Sequence, residues 1–131
     1  MNDILDLWSE LPSESIVTPP IAILHQQAEL LGQKSGGRLM GSVLQMRSKN
    51  GSPIIHFEVV APYLGDYSFR VLTVVHPVTL YPALVADKVN GGEKDCENES
   101  EFAERLGHIL GSEQVRRIID SLVAHPATQQ P

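Results

Sequence analysis

The sequence predicts an α+β domain: an antiparallel meander of three to four strands flanked by two N-terminal and two C-terminal helices. Apolar residues recur at helical spacing near both ends of the chain, and they alternate at strand spacing across its middle. An Asn50-Gly51 pair interrupts the alternation at the point where a hairpin would turn. Helices placed before and after a run of strands, rather than between strands, mark this class. The 131 residues are one domain's worth of chain: residues 1–125 are expected to form it and 126–131 to be a flexible tail.

Ile4, Leu7, Trp8 and Leu11 share one face of a helix expected over residues 2–11. Asp3 and Asp6 lie in its first turn, where the helix dipole favours acids. Pro12 ends it. Pro19 and Pro20 start a second helix, since proline at the first helical position removes no hydrogen bond. Ile21, Leu24, Ala28 and Leu31 repeat on its buried face, and Gly36-Gly37 supply the left-handed backbone that ends it.

Residues 38–61 read as a hairpin, because Asn-Gly is the preferred pair for a two-residue turn with positive φ at both positions. That turn sets Lys49 opposite Ser52, Met46 opposite Ile55, Leu44 opposite Phe57, Ser42 opposite Val59 and Met40 opposite Ala61, an apolar face along both strands. A third strand is expected over residues 67–75. Pro77 and Pro82 bracket the next apolar stretch, so a fourth strand, continuing into Leu84 and Val85, is expected at an edge. The acidic stretch from Asn90 to Ser100 reads as a surface loop. Two helices follow, one carrying Phe102, Leu106, Ile109 and Leu110, the other Val115, Ile118, Ile119, Leu122 and Val123, with Ser112 as N-cap of the second.

Composition narrows the function classes. Ten Lys plus Arg against sixteen Asp plus Glu give a formal charge of -6, which disfavours phosphate backbones and anionic membranes, so neither nucleic acid nor membrane is expected as a partner. Arg116 and Arg117, the one adjacent basic pair, have acidic neighbours on their own helix in Glu113 and Asp120. No apolar run approaches the roughly 18 residues of a membrane helix, and the first twenty residues lack a secretory pattern. A cytoplasmic location is the expectation. Cys96 stands alone between Asp95 and Glu97, whose charges oppose thiolate formation.

Glycines over residues 32–37 follow a helix instead of preceding one, which is the wrong order for a phosphate loop. No nucleophile elbow or paired Cys-X-X-Cys motif is present. The five histidines are scattered over different elements, so neither a metal nor another cofactor is expected.

One polar patch carries a chemical alternative. Pairing Val59 with Phe69 sets Glu58 opposite Arg70 and His56 opposite Leu72, so that a base, a carboxylate and a cation share a sheet face, with Tyr63 and Asp66 in the adjoining loop. Cross-strand opposite charges also stabilise sheets with no catalytic role, each pair contributing roughly 0.2–1 kcal/mol. The same outward face is expected to carry Val43, Ile54, Val60, Leu72 and Val74, more apolar surface than a solvated sheet face needs. This excess makes a protein–protein interaction module the leading expectation: an accessory, regulatory or inhibitory subunit that binds a protein partner or self-associates as a homodimer. A small enzyme or ligand-binding domain using His56, Glu58 and Arg70 is the alternative, and the acidic stretch 93–104 offers a second contact region for a basic partner.

Overall fold

A computed structural model describes residues 4–13 and 16–126. Helix α1 (Pro20–Lys34) leads into strands β1 (Met40–Arg47) and β2 (Pro53–Ala61), and a short 3-10 turn at Pro62–Leu64 precedes β3 (Tyr67–Val75). Strands β4 (Ala83–Asp87) and β5 (Glu93–Cys96) follow, then α2 (Glu99–Leu110) and α3 (Glu113–Ala124). The sheet is a five-stranded antiparallel meander in the order β1-β2-β3-β4-β5. The class is α+β as expected; among the described residues there is one N-terminal helix instead of two, and there are five strands instead of three or four.

The expected helix over 2–11 is not formed between residues 4 and 11: that stretch has no regular structure, and Ile4, Leu7, Trp8 and Leu11 are all exposed. A helix this short needs a surface for its apolar face, and among the described residues nothing buries these side chains. Residues 2 and 3 of that expectation, and all but Pro126 of the expected tail, lie outside the described residues.

The hairpin turns where expected but in a different geometry. Ser48 and Ser52 close it: the Gly51 N–H donates to the Ser48 carbonyl at 2.9 Å, and the Ser48 N–H to the Ser52 carbonyl at 2.9 Å. Gly51 alone takes positive φ, at 88°, and Asn50 does not. The loop therefore has three residues and a bulge at its glycine instead of two residues. The Asn50 side chain accepts from the Ser52 N–H at 3.2 Å, which holds this form. One added loop residue shifts the register by one: Met46 meets Ile54, Leu44 meets His56, Val43 meets Phe57 and Met40 meets Val60. Every β1 side chain thus points to the face opposite the expected one.

A bulge lies between Phe57 and Glu58 on one side and Leu72 and Arg70 on the other, leaving Val71 as the extra β3 residue. Before it, Phe69 and Tyr67 pair with Val59 and Ala61; after it, Leu72 and Val74 pair with Phe57 and Ile55. The fourth strand is interior, and the edge belongs to β5, drawn from the stretch expected to be a loop. Only Cys96 of β5 is buried. Charged side chains on such an edge discourage further strand pairing.

The core lies between the helices and one sheet face. Ile55, Phe57, Val59, Leu72, Val74 and Val85 meet Leu24 of α1, Phe102, Leu106 and Ile109 of α2 and Val115 of α3. Both C-terminal helices are capped by side chains: Asn98 Oδ1 accepts from the Glu101 N–H at 2.9 Å, and Ser112 Oγ from the Val115 N–H at 3.3 Å. No helix among the described residues is long and apolar enough to cross a membrane.

Candidate functional site

The sheet face turned away from the helices is built in rows, one residue per strand. Met46, Ile54, Val75 and Leu84 form an apolar row across four strands. Leu44, His56, Thr73 and Ala86 form the next, Ser42, Glu58 and Arg70 the third, and Met40, Val60 and Ser68 the last. No described helix covers this face. Met40 is 53% exposed, Leu44 44% and Met46 49%, because β1 is an edge strand with these three side chains turned outward.

Three of the five residues expected here belong elsewhere. Val43 lies on the helix side through the shifted hairpin register, and Leu72 and Val74 are fully buried there because the Val71 bulge reverses the phase of β3. Ile54 and Val60 do face outward, each partly exposed. Met40, Leu44 and Met46 were missed for the same reason that Val43 was misplaced. Leu72 is fully buried within the core cluster on the helix side.

The polar cluster assembles in part as expected. Glu58 and Arg70 are direct cross-strand partners: Arg70 Nε and Nη2 both donate to Glu58 Oε2, at 3.0 Å and 2.9 Å. His56 stands opposite Thr73, not Leu72, again through the bulge, and its Nδ1 lies 2.9 Å from Thr73 Oγ1. Burial lowers the proton affinity of His56, the Arg70 and Lys88 charges act in the same sense, and Glu58 opposes them. The imidazole is therefore held toward its neutral form, while the carboxylate beside it is engaged by Arg70.

Other expected participants are separated from this cluster. The Tyr63 hydroxyl donates to the Leu122 carbonyl at the end of α3, and Arg38 stacks over the Tyr63 ring at 4.8 Å. Asp66 is exposed in the β2–β3 connection with φ of 60°. The His76 ring is buried, with Nδ1 2.7 Å from the Pro77 carbonyl oxygen. Cys96 is fully buried, and burial pushes its thiol up, with Glu101 and Asp95 adding to the rise against Lys94 and Arg105. Among the described residues no three His, Cys, Asp or Glu side chains converge as metal ligands.

Comparison with protein-family models, with curated proteins and with solved structures returned no match for this chain.

Proposed function

We propose that this chain is a cytoplasmic protein–protein interaction module, an accessory, regulatory or inhibitory subunit that docks a protein partner or a second copy on its outer sheet face. The row of Met46, Ile54, Val75 and Leu84 carries the reading, because it continues apolar surface across four strands on the face without helices. The polar groups beside it suit burial. Glu58 is neutralised by Arg70 and His56 is held by Thr73, so a partner covering them leaves no lone charge without a counterpart. Met40, Leu44 and Met46 add flexible apolar side chains along the β1 edge, of the kind that adapts to a partner's shape.

The catalytic alternative draws on the lowered proton affinity of His56, which suits a general base near neutral pH. The engagement of Glu58 by Arg70 weighs against it, since that carboxylate is not free to orient the imidazole.

Affinity purification of the tagged chain at low and high salt, with the mass of the complex read by light scattering, tests the proposal. A stoichiometric protein partner or a dimer is expected, and it should be lost in Leu44→Asp and Met46→Asp. Both positions are exposed in the free chain, so both variants should keep the wild-type circular dichroism. Binding unaffected by either substitution would remove the outer face as the docking surface.

A further inference from the structure

A second apolar surface lies on the helix side. Between α1 and the α2–α3 pair runs a groove of about 450 Å³, walled by Leu30 and Leu31 on one side and by Leu110 and Ile119 on the other, with Phe57 at its floor. The volume is within the roughly 300–1,000 Å³ of binding pockets. Gly107 lowers the α2 side, and a Cβ built on it would meet nothing within 4 Å. Leu30 is still 41% exposed, and Lys34 stands exposed at the rim.

The N-terminal segment carries the complementary feature. Ile4, Leu7, Trp8 and Leu11 are between 62% and 90% exposed. Their spacing of i, i+3, i+4, i+7 is that of the anchors an amphipathic helix lays into a groove. Asp6 and Glu10 flank that face with charges opposite to Lys34. The root of the arm is pinned: the Thr18 N–H donates to Glu99 Oε1 at 3.2 Å, and the Tyr81 hydroxyl donates to the Thr18 carbonyl at 3.1 Å. Pro19, at the N-cap of α1, is extended at φ -70° and ψ 155°. In the single chain the four apolar side chains of the arm are exposed and not buried in the groove.

We propose that the groove receives the arm, residues 4–11, of a second copy of this chain, and that the two copies exchange arms reciprocally. The arm is unstructured alone because so short a helix needs a surface, and it coils on docking, when its four apolar side chains are buried together. Exchange of identical elements between two chains satisfies both arms and both grooves with one symmetric contact.

Trp8 is the chain's one tryptophan, so its emission reads the arm directly. Emission and acrylamide quenching should be followed against concentration for the full chain, with mass by light scattering. The expected result is a blue shift and reduced quenching that rise in step with conversion from one chain to two. Leu7→Asp on the arm and Leu30→Glu on the groove wall should each abolish the shift and the dimer, while Lys49→Glu at the exposed hairpin turn leaves both intact. If Leu30→Glu fails to fold, the exposed Lys34→Glu should weaken the dimer and Glu10→Lys in the same chain should restore it. A concentration-independent blue shift in a monomer would place the arm on its own chain and overturn the exchange. A dimer with water-exposed Trp8 emission, or a shift that persists in Leu7→Asp, would overturn it as well.

Discussion

Gly41 is fixed by close approach. It faces α1 from β1, and a Cβ built there would meet the Cα and Cβ of Ala28 at 2.5 Å. A strand and a helix backbone would both have to give way. Gly41→Ala should therefore destabilise the fold by about 1–3 kcal/mol, the usual cost of overpacking, read as a lower urea midpoint. Gly107→Ala should act in the opposite sense: its Cβ has open space, and alanine in a helix interior is favoured over glycine by roughly 0.5–1 kcal/mol. Neither outcome is legible in the sequence, because the deciding neighbour of Gly41 is thirteen positions away in a different element.

Elements show which physical signals survive in one dimension. The helices at Pro20–Lys34, Glu99–Leu110 and Glu113–Ala124 were readable from period and caps, and β3 was readable from its alternation. Strand β5 was not: one buried residue, Cys96, makes no alternation, and its charges resemble a solvated loop. The β3 bulge was hidden because residues 71–75 are apolar at every position but Thr73, so a reversal of phase leaves no mark. Glu58 against Arg70 came out correctly since Val59–Phe69 anchors the register on their side of that bulge, whereas His56 lies beyond it. The Asn50-Gly51 turn shows a sharper limit: the residues announce a turn but not its length, and length decides which side chains of β1 face outward.

The β4–β5 turn depends on one carboxylate. Asp87 Oδ1 accepts from the Val89 N–H at 2.9 Å and the Asn90 N–H at 2.8 Å, and Oδ2 accepts from Asn90 Nδ2 at 2.9 Å. Burial would raise the Asp87 pKa, but the Asn90 and Val89 hydrogen bonds and the Arg105 charge outweigh it, and the pKa is lowered. The sign follows: a carboxylate more acidic when folded adds stability above its unfolded value of about 3.9, and loses it as pH falls through the lowered folded value. Asp87→Ala should cost about 1–3 kcal/mol at neutral pH through the abandoned donors. Its deficit relative to wild type should shrink as pH falls below about 4. Urea unfolding at pH 7 and pH 3 measures both.

At the scale of the whole molecule, the described residues form two layers with the helices on one side, so in the free chain the outer sheet face meets solvent. His56 is the group there whose titration registers the balance between burial and charge. Its folded proton affinity is lowered by burial first, then by Arg70 and Lys88, against Glu58. In the unfolded chain it titrates near the ordinary value of about 6.5, so between that value and its lowered folded pKa the unfolded state binds more protons. Stability contributed by keeping the ring neutral is complete above about pH 6.5 and declines as pH falls through the window beneath it. His56→Gln should remove this component of the pH dependence while keeping a polar side chain opposite Thr73. The measurement is the difference in urea midpoint between wild type and variant from pH 7.5 to 5, which cancels the histidines common to both. A difference that changes with pH in the stated direction identifies His56 as a proton-sensitive group on the outer face. A flat difference would mean that solvent reaches the ring freely enough to equalise its folded and unfolded proton affinities, and a partner covering that face would then supply the desolvation that the free chain lacks.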